Sequence, residues 1–262
     1  MGIHDAPLLF AAAVIAGALN SVAGGGGFIA FPALVFSGVA PIPANATNTI
    51  ALWPGTVAST GAYRREFHGS QHWKLFAPLF VVSMLGSLVG AFLLLKTPPR
   101  TFMHIIPWLM FGATVLFTFS GRISAFIRGR AQRHRHVSRL VEAGVVLLQL
   151  LVAVYIGYYG AGAGILMLAL FAIMGLENIH TMNAFKTLLA SCANGVAVVT
   201  FILAKTVVWP QGVLMLIGAA IGGYVGAWYS LKLEPKLVRY FVIVVGAVMT
   251  VIFFYKAYVL RT

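Results

Sequence analysis

The stretch Gly24-Gly25-Gly26-Gly27, followed by the apolar run from Phe28 to Ser37, decides the fold of this 262-residue chain. Each glycine costs about 1 kcal/mol relative to alanine inside a helix, so four in succession predict a break in an apolar helical segment. The ten residues before Gly38 would form a helix of about 15 Å, half of a hydrocarbon core of about 30 Å. A half-helix that begins at mid-membrane directs free N–H groups and a positive dipole end into the protein, which is an anion-binding arrangement.

The same device occurs again in the second half of the chain. Gly160-Ala161-Gly162-Ala163-Gly164 interrupts another apolar segment, and the ten residues from Ile165 to Met174 end at Gly175. Two interrupted hydrophobic segments in corresponding halves are typical of a transporter's binding site. Unwound backbone at membrane depth persists only where protein or a water-filled cavity satisfies it. The alternative is that these glycines serve only close helix packing, but packing glycines are spaced by four residues rather than clustered.

The composition is that of an integral membrane protein. Hydrophobic residues make up 60% of the chain and charged residues 9%, and the long apolar runs favour spanning helices over barrel strands. The formal net charge of +13 resides in short loops, where a positive-inside bias explains it better than nucleic-acid binding does. Only five acidic residues and one cysteine, Cys192, occur, and the sequence motifs of catalytic and metal sites are missing. We therefore expect no enzymatic activity, no metal and no cofactor.

Two related halves organise the apolar segments. Gly86 to Lys96 resembles Gly222 to Lys232, and Asn45 to Thr49 resembles Asn183 to Thr187, in the same order along the chain. We predict an all-α polytopic membrane protein with two homologous four-segment repeats, residues 1–119 and 140–262, and a basic linker at residues 120–139. Each repeat would contain a glycine-broken helical hairpin and three further helices: Ala6–Gly38, Asn45–Tyr63, Leu75–Leu95 and Phe102–Phe119, then Leu140–Gly175, Met182–Leu203, Gly212–Leu231 and Leu237–Tyr258.

The two repeats are predicted to be inverted relative to each other. A broken segment would be about 50 Å long as one helix, too long for a single crossing, and its second arm is too short for another. If each segment is a hairpin that turns at mid-membrane, three true crossings per repeat remain, and an odd number inverts the second repeat. A parallel arrangement with four crossings per repeat stays open, because the basic loop residues satisfy the positive-inside rule equally well in both.

Polar residues inside the apolar helices mark the candidate site. Two triplets share the spacing i, i+3 and i+4 on one helix face: Asn45, Asn48 and Thr49, and Asn183, Lys186 and Thr187. Lys186 indicates function because intramembrane charges are costly, although a lysine that snorkels to the interface is the alternative. Its ammonium, the amides, the hydroxyls and two half-helix N-termini together suit a small oxyanion. The predicted substrate-binding set is Gly25, Gly26, Gly27, Phe28, Asn45, Asn48, Thr49, Gly162, Ala163, Gly164, Ile165, Asn183, Lys186 and Thr187.

At these residues the chain resembles the TauE/SafE family of sulfite and organosulfonate exporters. The matching pieces are Gly24-Gly-Gly-Gly-Phe-Ile, Pro32-Ala-Leu, Gly38 and Ala46-Thr-Asn48, with a weaker second copy at Gly160 to Ile165. The resemblance covers nearly the whole chain, including the two-repeat plan and the basic linker. It implies transport of sulfite, sulfoacetate or a related sulfur-containing anion across the bacterial cytoplasmic (inner) membrane. Ala46 replaces a glycine that is frequent in the family, and the second repeat has Phe185-Lys186 in that place, so the chain departs from the family pattern near the substrate.

Export is the favoured mode, and an anion channel, a proton-coupled uptake carrier and a membrane assembly subunit are the alternatives. An inside-negative potential favours anion exit by about 2.3 kcal/mol per charge per 100 mV, so export needs no coupled ion. Uptake would need a proton carrier, and Glu142 is a poor one because Arg139 lies on the same helical face. We further expect anionic lipid headgroups at the linker and no nucleic-acid partner, and a homodimer is left open.

Overall fold

The helices of the protein follow the apolar segments of the sequence. A computed structural model describes residues 5–22, 25–67, 73–131, 139–174, 176, 178–230 and 235–259. The first half contains α1 (Asp5–Val22), α2 (Gly27–Phe36), α3 (Pro41–Ala62), α4 (Arg64–Phe67), α5 (Trp73–Lys96) and α6 (Pro99–Ala131). The second half contains α7 (Arg139–Tyr158), α8 (Ala163–Ile173), α9 (Ile179–Leu203), α10 (Trp209–Ser230) and α11 (Pro235–Tyr258). Within these residues every regular element is a helix, which confirms the all-α prediction.

The apolar lengths of the helices are those of a multi-pass membrane protein. Four segments within the described residues are long and apolar enough to cross a bilayer: Phe76–Lys96, Pro99–Phe119, His180–Leu203 and Tyr240–Tyr258. The half-helices α2 and α8 have only 10 and 11 residues. α6 continues as a helix beyond Phe119 to Ala131, so the first part of the predicted linker extends a membrane helix. The rest of that linker, residues 132–138, lies outside the described part of the chain.

A reversal of the chain separates α1 from α2. α1 ends at Val22 and α2 begins at Gly27, while Gly24 lies outside the described residues. A Cβ atom built on Gly26 would lie 2.3 Å from the carbonyl oxygen of Ala16, because the returning chain presses against α1. Gly26 has a φ of −58°, which any residue adopts, so glycine is needed here for space and not for its conformational freedom.

The second break, between α7 and α8, depends on glycine for a different reason. Gly160 and Gly162 have φ angles of +81° and +76°. A residue with a Cβ atom pays roughly 1–2 kcal/mol for such a left-handed backbone, whereas glycine adopts it freely. The N–H of Gly160 donates to the carbonyl of Tyr155 at 2.9 Å and thereby closes α7, and the chain then restarts as α8 at Ala163. Gly175, which follows α8, lies outside the described residues.

Glycines also bring two pairs of long helices into backbone contact. A Cβ atom on Gly222 of α10 would lie 1.8 Å from the carbonyl oxygen of Val14 in α1. One on Gly90 of α5 would lie 2.0 Å from the carbonyl oxygen of Val154 in α7. In the predicted repeats α1 corresponds to α7 and α10 to α5, so these are equivalent contacts. Small residues at such crossings permit the close approach on which helix association in a membrane depends.

The central helices α3 and α9 run in opposite directions. Near the start of α3, the hydroxyl of Thr47 accepts a hydrogen bond from the N–H of Val208, which follows the end of α9, at 3.0 Å. Beyond the end of α3, Phe67 packs edge-on against Phe185 near the start of α9, with ring centroids 5.5 Å apart. Since α3 and α9 are corresponding helices of the predicted repeats, this antiparallel course favours inverted over parallel repeats. The inverted arrangement itself stays a prediction.

Candidate functional site

Two contiguous cavities lie where the broken segments approach α3 and α9. The larger cavity has a volume of about 410 Å³ and is bounded mainly by α8 and α9. The smaller cavity has a volume of about 90 Å³ and is bounded by α2, α3 and the segment after α7. Four residues line both cavities: Asn20, Thr56, Gly160 and Asn194. A continuous polar region therefore connects the two breaks in the interior of the bundle.

Lys186 is the charged side chain of the larger cavity. Its ammonium donates a hydrogen bond to Asn183 Oδ1 at 2.8 Å. Its Cδ atom lies 3.3 Å from the position that a Cβ atom on Gly164 would occupy, so its methylene chain lies along the first turn of α8. Thr187, the third member of the predicted triplet, also lines this cavity and donates its hydroxyl hydrogen to the carbonyl of Ala184 at 2.9 Å.

The start of α8 also lines the larger cavity, beside Lys186. The N-cap residue is Gly162, and no side chain caps this end of the helix. At the start of α9, by comparison, Asn178 Oδ1 accepts from the N–H groups of His180 and Thr181. An uncapped helix start presents N–H groups and the positive end of the helix dipole. The predicted residues of this turn all line the cavity: Gly162, Ala163, Gly164 and Ile165.

The smaller cavity contains the predicted residues of the first repeat, Gly27, Asn48 and Thr49. Tyr159 joins them, and Asn48 and Tyr159 are each only 7% exposed. Asn48 Oδ1 and the Tyr159 hydroxyl have no hydrogen-bond partner among the described atoms. Trp53 forms one wall and is held by a hydrogen bond from its Nε1 to the carbonyl of Ser191 at 2.9 Å.

Four predicted site residues line neither cavity. Gly25 packs against Val242, and Gly26 packs against α1. Phe28 is buried and packs edge-on against Phe117, with ring centroids 5.8 Å apart. The amide of Asn45 donates to the carbonyl of Tyr158, the last residue of α7, at 3.1 Å. These residues support the two breaks from outside the cavities.

Other lining residues were absent from the predicted set. Thr56 and Tyr63 follow the first predicted triplet at helical spacing, and Asn194 follows the second. This spacing could have identified them as residues on the same helix faces. Asn20 was missed, although a single amide in the otherwise apolar α1 is itself an indication of an interior-facing position. Among the described residues, no three His, Cys, Asp or Glu side chains come together as a metal site would require.

Known proteins similar to this chain match it over nearly its whole length. Residues 9–253 match the family described as Sulfite exporter TauE/SafE. The chain is 29% identical over 252 residues to the probable membrane transporter protein YfcA of Escherichia coli strain K12, covering 96% of this chain and 90% of that protein. It is 27% identical over 251 residues to the probable membrane transporter protein ORF9 of Sinorhizobium sp, covering 96% and 93%. No solved structure matches it significantly. The family match, the multi-pass helical architecture and the transporter names of the relatives agree, and the chain belongs to the TauE/SafE family of membrane transport proteins.

Proposed function

We propose that this transporter exports a small sulfur-containing oxyanion, such as sulfite or sulfoacetate, held between the two broken segments at mid-membrane. The proposal rests on one observation: Lys186 and the uncapped start of α8 line the same cavity. A fixed positive charge and a helix N-terminus both stabilise an anion, and each acts more strongly away from bulk water. The sulfur chemistry of the substrate is supported by the family description.

The groups around Lys186 fit an oxyanion in number and type. An ammonium carries three N–H donors, and the bond to Asn183 occupies one of them. The remaining two donors and the positive dipole end of α8 suit the acceptor oxygens of a sulfite or sulfonate group. The N–H groups of Ala163 and Ile165 already donate to the carbonyls of Gly160 and Gly162. A cavity of about 410 Å³ also accommodates the short organic part of an organosulfonate.

The membrane potential is the proposed driving force. An inside-negative potential favours exit of an anion by about 2.3 kcal/mol per charge per 100 mV. A proton-coupled carrier usually holds its proton on an intramembrane carboxylate, and none of the described lining residues of either cavity is acidic. Glu66 lies away from both cavities, where its carboxylate accepts from the Thr181 hydroxyl at 3.5 Å. The side chains of Arg139 and Glu142, on which the sequence argument about proton coupling depended, lie outside the described part of the structure.

The surrounding architecture is part of the same proposal. Inverted repeats at residues 1–119 and 140–262 would allow one half to rock against the other around the site. The basic linker at residues 120–139 would lie at the cytoplasmic face of a bacterial inner membrane and bind anionic lipid headgroups. In support, Arg122 is exposed just beyond the apolar part of α6 and lies 5.9 Å from the ring centroid of Phe119.

Binding of the substrate is tested first, by thermal unfolding of the purified protein. The ligands are sulfite, sulfate, thiosulfate, sulfoacetate and taurine, each added at the same ionic strength. A ligand that binds only the folded protein raises the unfolding temperature in a saturable manner. We expect at least one sulfur oxyanion to do so in the wild type and not in Lys186→Ala. If none of them stabilises the protein, the substrate assignment is wrong.

Direction and coupling are tested in proteoliposomes loaded with the stabilising anion. Sodium is kept equal on both sides, and potassium with valinomycin sets the potential. Efflux should accelerate when the loaded side is negative and should not respond to a pH gradient at zero potential. Efflux that follows the pH gradient would show proton coupling, and flux that fails to saturate with substrate would show an anion channel.

A further inference from the structure

A third cavity, which we call the lateral cavity, lies between α1, α3 and α10. Its volume is about 520 Å³. Gly55 of α3 and Tyr224 of α10 line it and are both exposed, Tyr224 by 81%. The lateral cavity therefore opens at the side of the helix bundle, where a membrane protein faces lipid.

The lateral cavity is contiguous with the larger cavity that contains Lys186. Asn20 of α1 and Ser59 of α3 line both cavities. Asn20 and Leu52 also line the smaller cavity, so all three cavities meet near the end of α1. A chain attached to an anion at Lys186 thus has a route past Asn20 and Ser59 into the lateral cavity.

The lining changes from polar to apolar along this route. None of the described lining residues of the lateral cavity is charged. Its polar side chains are Asn20 and Ser59, at the shared boundary, and the exposed Tyr224. The Ser59 hydroxyl already donates to the carbonyl of Gly55 at 2.9 Å, and the other lining residues are glycine, alanine, leucine and proline. Such a surface suits a hydrocarbon chain and offers no partner to a second charged group.

A small residue on α3 keeps this space open without serving helix packing. Gly17 of α1 is a packing glycine, because a Cβ atom there would lie 2.1 Å from the carbonyl oxygen of Ala219 in α10. Gly55 lines the same cavity, yet a Cβ atom on it would meet nothing within 4 Å. A larger side chain at position 55 would take up cavity volume and meet no immediate steric barrier.

We infer that the substrate is an alkyl sulfonate whose sulfonate group lies beside Lys186 and whose hydrocarbon chain occupies the lateral cavity. This inference rests on the proposed function, which supplies the site for the anionic end. Sulfite has no chain to fill the lateral cavity, and a second charged group on the chain would be desolvated there without a partner. Alkyl sulfonates should therefore bind more tightly than sulfite, taurine or sulfoacetate.

The inference is tested by isothermal titration of the purified protein with methanesulfonate, butanesulfonate and hexanesulfonate, below the concentrations at which they form micelles. Each methylene that enters the cavity should lower the dissociation constant about fourfold. Hexanesulfonate should bind at least about tenfold more tightly than methanesulfonate. Equal affinity for the three would overturn the inference, and bilayer chains, detergent or a second copy of the protein would then be the occupant of the cavity.

Two variants fill the lateral cavity from opposite walls. Gly55→Leu does so from α3 and Ala220→Leu from α10, and each should abolish most of the gain in affinity with chain length. Gly112→Leu on α6 is the matched control, because a Cβ atom there also meets nothing within 4 Å and the residue lines none of the three cavities. All variants are measured in one detergent, so partition of the hexyl chain into micelles is the same for each. A chain-length dependence that is equal in all three variants would refute the lateral cavity as the site of the chain.

Lys186→Ala separates this inference from the proposed function. Lys186 lines the larger cavity and not the lateral one, so the alanine variant should weaken methanesulfonate and hexanesulfonate by the same factor. Methanesulfonate binding that depends on Lys186, without any gain for hexanesulfonate, would reject the lateral cavity and leave the proposed function standing. Hexanesulfonate binding that is weakened by Gly55→Leu and unchanged in Lys186→Ala would reject the anion site and leave the lateral cavity as a site for the chain.

Discussion

Replacing Lys186 by alanine should weaken oxyanion binding by one to two orders of magnitude. The structure places this ammonium 2.8 Å from Asn183 Oδ1, on the wall of the cavity that also receives the start of α8. A hydrogen bond to a charged group contributes about 1.5–3 kcal/mol, which corresponds to roughly 10- to 150-fold in the dissociation constant. Isothermal titration of the purified variant with the anion that stabilises the wild type measures this loss directly.

Three companion variants make the measurement specific to the position of the charge. Lys186→Arg should recover only part of the affinity, because the guanidinium needs more room than the ammonium. Gly164→Ala would place a Cβ atom 3.3 Å from the Cδ of Lys186, so it should displace the side chain slightly and cost less than tenfold in affinity. Lys96→Ala removes the same charge from the exposed end of α5 and should bind like wild type. Wild-type affinity in Lys186→Ala would show that this lysine only snorkels, and the binding argument would then be wrong.

The remaining predictions concern the glycines that shape the helices. Gly222→Ala should lower the unfolding temperature in detergent, because the new methyl group would lie 1.8 Å from the carbonyl oxygen of Val14, and overpacking of this kind costs about 1–3 kcal/mol or more. Gly162→Ala should also destabilise, by about 1–2 kcal/mol, because its φ of +76° is unfavourable for a residue with a Cβ atom. Gly112→Ala is the control for both, since a Cβ atom there meets nothing within 4 Å, and equal unfolding temperatures in all three variants would contradict both predictions.

The positions of the helix breaks were predictable from the sequence to within a few residues. The run predicted from Phe28 to Ser37 is α2 at Gly27–Phe36, and the run predicted from Ile165 to Met174 is α8 at Ala163–Ile173. This agreement has a local cause, because glycine content and apolar length act within a few residues of the chain. The two breaks nevertheless use glycine for different reasons, space at Gly26 and a left-handed backbone at Gly162, and sequence alone does not distinguish them.

The candidate site was predictable only in part. The spacing of Asn45, Asn48 and Thr49 placed them on one helix face, yet Asn48 and Thr49 line a cavity while Asn45 bonds to the end of α7. The corresponding Asn183 lines the larger cavity and accepts from Lys186. Periodicity determines which residues share a face, but the neighbour that each residue meets depends on how distant segments pack.

By itself, the sequence determined a polytopic helical membrane protein with two glycine-broken segments and polar triplets on two of its helices, because composition, apolar length and helix periodicity are local properties. Only the tertiary structure decided that these features surround two contiguous cavities. The larger cavity needs Lys186 of α9 beside the start of α8, and the smaller cavity needs Asn48 of α3 beside Tyr159. Asn48 and Tyr159 are more than a hundred residues apart in the chain, so their meeting depends on long-range helix packing that no local pattern encodes.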